Sequence, residues 1–431
     1  MQQQTLEPRD TLRPTKTSPA RPRGTAIAST GKDRLESLDL LRGLAALAIL
    51  ALHFPWPDGA GPLPHAYLGV DLFFTLSGFV IAYSYQHRLE SGMPVGRYLL
   101  ARLIRLYPLY MLATLLGAAE VAARLLYRGE SDGFGSLGAA LATAMFFLPT
   151  PLEWSGWPRA FFPLNFFAWS LFFELVVNVV YGLVAMRLSN RLLGALIAAG
   201  AALLVLAATQ AGTVNVGAEW ANAHWAFGRA LFAFFAGVAL FRWRERVPFP
   251  ALPAWLVGAL LVASFAAPVG WPLGYDLACI FLLYPLLVVA AAHATGGSAM
   301  RAISLRLGFV SYPVYVLQMP LLHLLIEALD QIGFRQADSI LIGLVAQFAF
   351  VVSIATAIAL GVDSPLRAWV KHRFAVPRAL APAQTAPEPT TTVPAGRRTA
   401  RDARWRAQRR ARPARRTPCR SPASRAAGRP S

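Results

Sequence analysis

The amino-acid sequence predicts an all-α polytopic membrane protein with about ten transmembrane helices and both termini in the cytoplasm. Three observations carry that prediction. Of 431 residues, 55% are hydrophobic and 15% charged, whereas a soluble domain carries about a quarter charged. Apolar runs of roughly 17–24 residues recur along the chain, long enough to cross ~30 Å of hydrocarbon. Basic residues between the runs concentrate on alternate connections, as the positive-inside rule requires.

Residues 1–34 are polar and basic, with seven Lys/Arg against three acids. They contain no apolar core ahead of a cleavage site, so no signal peptide is expected. Ten apolar segments follow, at about 38–56, 66–86, 106–126, 164–186, 192–210, 226–242, 250–270, 274–294, 306–327 and 338–361. A shorter run, 137–149, ends at Pro149 and Pro151; runs of this length are more often re-entrant or interfacial than spanning.

Charge then sets the orientation. If 137–149 does not span, the inward connections carry Arg88, Arg97, Arg102, Arg105, Arg187, Arg191, Arg242, Arg244, Arg246, Arg301 and Arg306. The outward ones carry Arg128, Arg159 and Arg335. If it did span, every later loop would invert and the bias would vanish. The outward loop 127–163 holds Trp154 and Trp157 and reads as a lid or as an interfacial aromatic belt. No internal repeat is visible, which weighs against an inverted-repeat transporter.

The expected organisation is a disordered basic segment 1–34, a transmembrane domain 35–375 and a cytoplasmic tail 376–431. The tail holds fourteen arginines against Glu388 and Asp402. Rich in Arg, Pro, Ala and Thr, it is expected to be disordered. Lipid headgroups and nucleic acid are conceivable partners for it; a solvated tail with no dedicated partner is the preferred reading, and no nucleic acid is expected.

Two cysteines, one in an apolar run and one in the tail, form no disulfide framework. No metal-ligand cluster, phosphate loop or dinucleotide fingerprint stands out. Chemistry must reside in polar residues within the spans, which are costly there and face a cavity or a partner.

The first span reads LDLLRGLAALAILALH. Arg42 and His53 are eleven residues apart, which returns both to nearly one helix face, roughly 16 Å apart along it. Asp39 lies one turn before Arg42 and is placed to hold its guanidinium. Snorkelling of Arg42 and simple termination at His53 is the plainer alternative. The second span, YLGVDLFFTLSGFVIAY, carries Asp71, an acid that needs a partner, and Ser77-Gly78, which suit close packing. RYLLARLIRLYPLY places Arg102 and Arg105 at i,i+3, either a clamp for a phosphorylated ligand or a positive-inside anchor. In NFFAWSLFFELVVNVVYGL, Ser170, Glu174 and Asn178 form a seam at i, i+4, i+8, with Tyr181 close to it. Glu174 can orient a histidine, accept a proton or pair with an arginine. LGFVSYPVYVLQMPLLHLL clusters Ser311, Tyr312, Tyr315 and Gln318, with Pro313 and Pro320 able to kink the helix.

These segments, in this order, resemble the acyltransferase 3 family of integral-membrane acyltransferases. The carrying residues are SLDLLRGLAALAILALH, GVDLFFTLSGF, RLIRLYPLY, WSLFFE and LGFVSYPVYVLQMP, and they span roughly residues 35–375. The resemblance implies transfer of an acyl group, often acetyl, from a cytoplasmic acyl-CoA to a hydroxyl of a sugar or glycolipid. It implies an essential pair at Arg42 and His53, a donor-phosphate role for Arg102 and Arg105, and the motif acid at Glu174. Asp39, Asp71, Ser170, Asn178 and Tyr312 are expected to support these. The family often has histidine where this chain has Gln318; His323 lies five residues on and off that face, so no catalysis is assigned to the ninth span. The tail is too short and polar for the extra hydrolase-like domain of some relatives.

The chemistry fits the residues. O-acylation needs a base for the hydroxyl proton and positive charge for the donor. His53 can be that base or can carry the acyl group covalently. The expected partners are acyl-CoA as donor substrate, a carbohydrate or glycolipid acceptor such as O-antigen or exopolysaccharide, and the bilayer. No bound cofactor and no metal are expected. Composition points to a bacterial inner membrane. A transporter of a polar or lipid-linked solute and a non-catalytic scaffold remain the other classes.

Overall fold

The computed structural model describes residues 33–54, 56, 61–152, 159–246, 249–331 and 340–373. The two terminal segments, Trp154, Trp157 and Arg335 lie outside the described residues. The described chain is helical and contains no β-strand; two isolated bridges, Ala160 with Glu219 and Pro253 with Thr295, join loops.

In chain order the helices are α1 (Asp33–Leu52), α2 (Gly69–Glu90), α3 (Val95–Arg128), α4 (Gly133–Met145), α5 (Ala168–Val184), α6 (Asn190–Ala211), α7 (Ala226–Trp243) and α8 (Ala254–Phe265). Next come α9 (Leu273–Ala278), which passes through a π-turn into α10 (Tyr284–His293), then α11 (Ser298–Gln331) and α12 (Ile340–Ile358). A second π-turn leads to α13 (Ser364–Arg373). Ends are set locally: Ser189 Oγ caps α6 by accepting from the Leu192 N–H at 3.2 Å, and α3 stops at Gly129 with φ 70°.

Among the described residues, eight helical segments are long and apolar enough to cross a membrane. They are Ala66–Glu90, Val95–Arg128, Ala168–Arg187, Asn190–Ala211, Ala223–Trp243, Leu273–His293, Ser298–Leu329 and Gly343–Val370. The protein is therefore an all-α polytopic membrane protein. The two remaining expected spans are α1 and α8. α1 is long enough but carries Glu36, Asp39 and Arg42. α8 has 12 residues between Pro253 and the Ala266 turn, ~18 Å and short of the hydrocarbon thickness. The run 137–149 falls only partly in a helix: α4 is a 13-residue helix that begins at Gly133, ends at Met145 and folds back on α3, where Tyr107 and Tyr110 donate to the Met145 and Ala144 carbonyls at 2.9 and 2.8 Å. Pro313 and Pro320 lie inside α11 without ending it.

α2 and α7 form the buried centre, while α6 and α12 face outward at the periphery. The central pair packs through glycine. A Cβ on Gly78 would sit 1.9 Å from the Phe234 carbonyl oxygen, and one on Gly237 would sit 2.1 Å from that of Thr75. Such contact distances let apolar helices gain van der Waals energy backbone to backbone. The pairing is parallel: Asp71 meets Arg229 near the start of both helices and Gln86 meets Arg242 near their ends, with the glycines at the crossing point. α1 and α11 are also parallel: Arg301 pairs with Glu36 at 2.8 Å, and Gly308 lies against Asp39. α5 runs antiparallel to α3, Asn178 meeting Tyr98 and Glu174 meeting Arg102. These directions agree with a chain that alternates sides at each span.

Candidate active site

α1, α2, α3, α5 and α11 enclose a cavity of about 330 Å³. Its polar lining is Arg42, Arg102, Arg105, Glu174, the hydroxyls of Ser77, Ser170 and Ser311, Tyr312 and Tyr315. Phe73, Phe74, Leu76, Val80 and Leu106 supply apolar wall. Five segments that are distant in sequence thus converge on one space.

Arg42, Arg102 and Glu174 are each positioned by a neighbour one turn away or across a helix contact. Arg42 Nη1 lies 3.1 Å from Asp39 Oδ1, so Asp39 holds the guanidinium as its spacing suggested. Arg102 Nη2 donates to Glu174 Oε1 at 2.9 Å, and Ser77 Oγ donates to the same oxygen at 2.9 Å. Glu174 is thereby held from two helices. Arg102 Nε is buried without a hydrogen-bond partner among the described residues. Arg105 lines the cavity and has no hydrogen bond or ion pair among the described residues. Three arginines face two carboxylates, Asp39 and Glu174, and the surplus positive charge falls at Arg105. Such a site favours a multiply charged oxyanion.

The serine and tyrosine hydroxyls complete the wall. Ser170 Oγ donates to the Phe167 carbonyl at 3.0 Å and lies 2.6 Å from the Tyr315 hydroxyl. Since the serine proton is used on Phe167, Tyr315 is the donor of the pair. Tyr312 donates to the Leu106 carbonyl at 2.5 Å, tying α11 to α3.

Other expected site residues lie elsewhere. His53 follows the last turn of α1, half-buried, and does not line the cavity. Its Nδ1 is 2.7 Å from the Ile49 carbonyl; the oxygen only accepts, so Nδ1 carries the hydrogen and Nε2 is the basic nitrogen. Its ring meets Phe167 and Phe166 edge-on, at 5.0 and 6.1 Å between centroids. Asn178 continues the α5 seam below the cavity, accepting from Tyr98 and donating to the Glu174 carbonyl at 2.7 Å. Tyr181 is buried against Phe234 and Phe235. Gln318 is buried, donating to the Tyr315 carbonyl at 3.0 Å. His323 sits 3.2 Å from Glu120, away from the cavity.

Asp71 finds its partner in Arg229 of α7, with Nε to Oδ1 at 3.0 Å and Nη2 to Oδ2 at 2.6 Å, both side chains fully buried. Arg229 also donates to the Val216 carbonyl at 2.8 Å. Beside it, His65 Nδ1 lies 2.8 Å from Asp276 Oδ1, and Tyr67 donates to Asp276 Oδ2 at 2.6 Å. Sequence reading passed over Arg229, although an arginine three residues into an apolar span is the signal that announces such a pair. Ser77, which reads beside Gly78 as a packing position, lines the cavity, and nothing in the residue type of Phe167 marks it as a cavity neighbour.

Fold and cavity together define an integral-membrane protein with a cationic pocket between its helices. The family model described as an acyltransferase domain matches residues 35–362, and the chain belongs to this family, the acyltransferase 3 family. The protein is accordingly a membrane acyltransferase. A curated relative from Rhizobium radiobacter, described as protein 2 in picA locus, is 40% identical over 201 residues, covering 43% of this chain and all of the relative. No solved structure matches.

Proposed function

We propose that the protein transfers an acetyl group from cytoplasmic acetyl-CoA to a hydroxyl of a carbohydrate or glycolipid acceptor at the bacterial inner membrane. The observation that carries this reading is the arginine cavity, in which Arg105 has a guanidinium to spare for phosphate. Arg42 and Arg102, each held by a carboxylate, add positive charge beside it. The orientation comes from the arginine-bearing connections, which put both termini and the arginine end of the cavity in the cytoplasm.

In this reading the acceptor hydroxyl gives its proton to Nε2 of His53 as its oxygen attacks the thioester carbonyl carbon. The carbon–oxygen bond forms, the carbon–sulfur bond breaks, and the thiolate takes the proton from the imidazolium. The Nδ1–Ile49 hydrogen bond keeps the ring in the tautomer that can act so. Arg42 adds positive charge where the donor's phosphates sit, at the far end of the donor from the reacting thioester.

The test is label transfer from radiolabelled acetyl-CoA into cell-envelope glycans by the membrane-embedded protein. Wild type is expected to label a glycan fraction, and His53→Ala is expected to abolish it. Arg105→Ala is expected to raise the donor KM at least about tenfold, the scale of a lost charge-assisted hydrogen bond. Equal labelling by His53→Ala would remove the histidine from the chemistry. Solute flux without label transfer would favour a transporter.

A further inference from the structure

One ring touches both a residue that lines the cavity and His53. Tyr315 lines the cavity; Phe167 lies 4.9 Å from Tyr315 and 5.0 Å from His53, between centroids. Along α5, Glu174 to Ser170 is ~6 Å and Glu174 to Phe167 ~10 Å of rise. On α5 the cavity lining runs from Glu174 to Ser170, and Phe167, one turn further on, lies outside it.

Distances make this ring consequential. Arg42 and His53 are roughly 16 Å apart along α1. The arm between a CoA diphosphate and its sulfur is on the order of 15 Å extended, by standard bond lengths. A donor with its phosphates at the arginines and its arm extended toward His53 points its thioester at Phe167. The backbone there is fixed, because the Phe167 carbonyl accepts from both the Ser170 hydroxyl and, at 3.3 Å, the Ser170 N–H. The Tyr315 hydroxyl locks the serine in turn. What can move is the side chain about χ1.

We propose that Phe167 is a gate between donor cavity and His53: its ring keeps thioester and base apart, and swings aside to let them meet. This rests on the acyl-CoA reading above. Its chemical purpose is to prevent hydrolysis, in which water replaces the acceptor, its oxygen bonding to the acyl carbon while its proton ends on the thiolate.

The experiment uses the full chain in lipid nanodiscs with acetyl-CoA, following thiol release without acceptor, label transfer with acceptor, and CoA binding. Phe167→Ala is expected to raise acceptor-independent thiol release at least tenfold, and adding His53→Ala to bring it back down. Phe167→Trp is expected to cut transfer at least tenfold while leaving the donor KM within about threefold. Phe167→Leu, which keeps the apolar packing, is expected to leak to an intermediate degree and guards against loss of folding. Unchanged leak in the Ala and Leu variants, with normal transfer by the Trp variant, overturns the gate while acyl transfer stands. Wild type that neither binds CoA nor releases thiol overturns the acyl-CoA reading, and the gate with it.

Discussion

Glu174 accepts from Arg102 on α3 and Ser77 on α2, so one carboxylate fixes the geometry of three helices around the cavity. Glu174→Ala leaves a buried guanidinium unpaired and lets Arg102 swing; a misplacement of about 1 Å can cost ~100-fold in rate. Transfer by Glu174→Ala is expected to fall by about that factor, whereas Glu174→Gln, which still accepts both hydrogen bonds, retains more of it. Steady-state label transfer checks both. The pairing was one of the readings that spacing on α5 left open, and Asp39 with Arg42 was legible outright, because an i,i+3 contact is written in the helix itself. The place of His53 was not: helical periodicity aligns it with Arg42, but only tertiary packing leaves it outside the cavity and against Phe167.

At the level of elements, α2 and α7 are held by touching backbones at Gly78 and Gly237 and by the buried Asp71–Arg229 pair. Removing one member of a buried pair strands the other and typically costs ~3–5 kcal/mol. Arg229→Met is expected to destabilise on that scale, and Asp71→Asn with Arg229→Met together less than Arg229→Met alone; thermal unfolding in detergent measures both. The sequence identified Asp71 as needing a partner but could not supply it, since the two residues lie 158 positions apart and only the fold chooses which span abuts α2. Helix positions, by contrast, were readable from apolar runs, with α8 the exception: Pro253 and the Ala266 turn cut a long apolar run down to 12 helical residues.

Over the transmembrane domain, the parallel pair α1–α11 and the antiparallel pair α3–α5 close with α2 around one cavity, and α7 backs α2 from outside it. Single cysteines on the 91–94 and 213–217 connections are expected to react with a membrane-impermeant maleimide from opposite sides, the first from the cytoplasm. Reaction of both from one side would contradict the alternation. Truncation after residue 375 is expected to leave label transfer unchanged, because every residue that lines the cavity lies between Arg42 and Tyr315. The sequence made the architecture legible through hydropathy and charge, which act locally; the cavity, built from five segments, exists only once they are assembled.

The uneven charge count of that cavity has a thermodynamic consequence. Three guanidiniums against two carboxylates repel one another in a region only partly open to water, so the native fold carries an electrostatic load that a bound oxyanion relieves. Anything that binds the folded state alone raises its stability by RT ln(1 + [L]/Kd), about 2.7 kcal/mol at a hundredfold excess over Kd. Melting temperature then becomes a binding meter that needs no acceptor and no turnover. CoA is expected to raise it, pyrophosphate to raise it less, and Arg105→Ala to flatten both responses while melting higher than wild type in plain buffer.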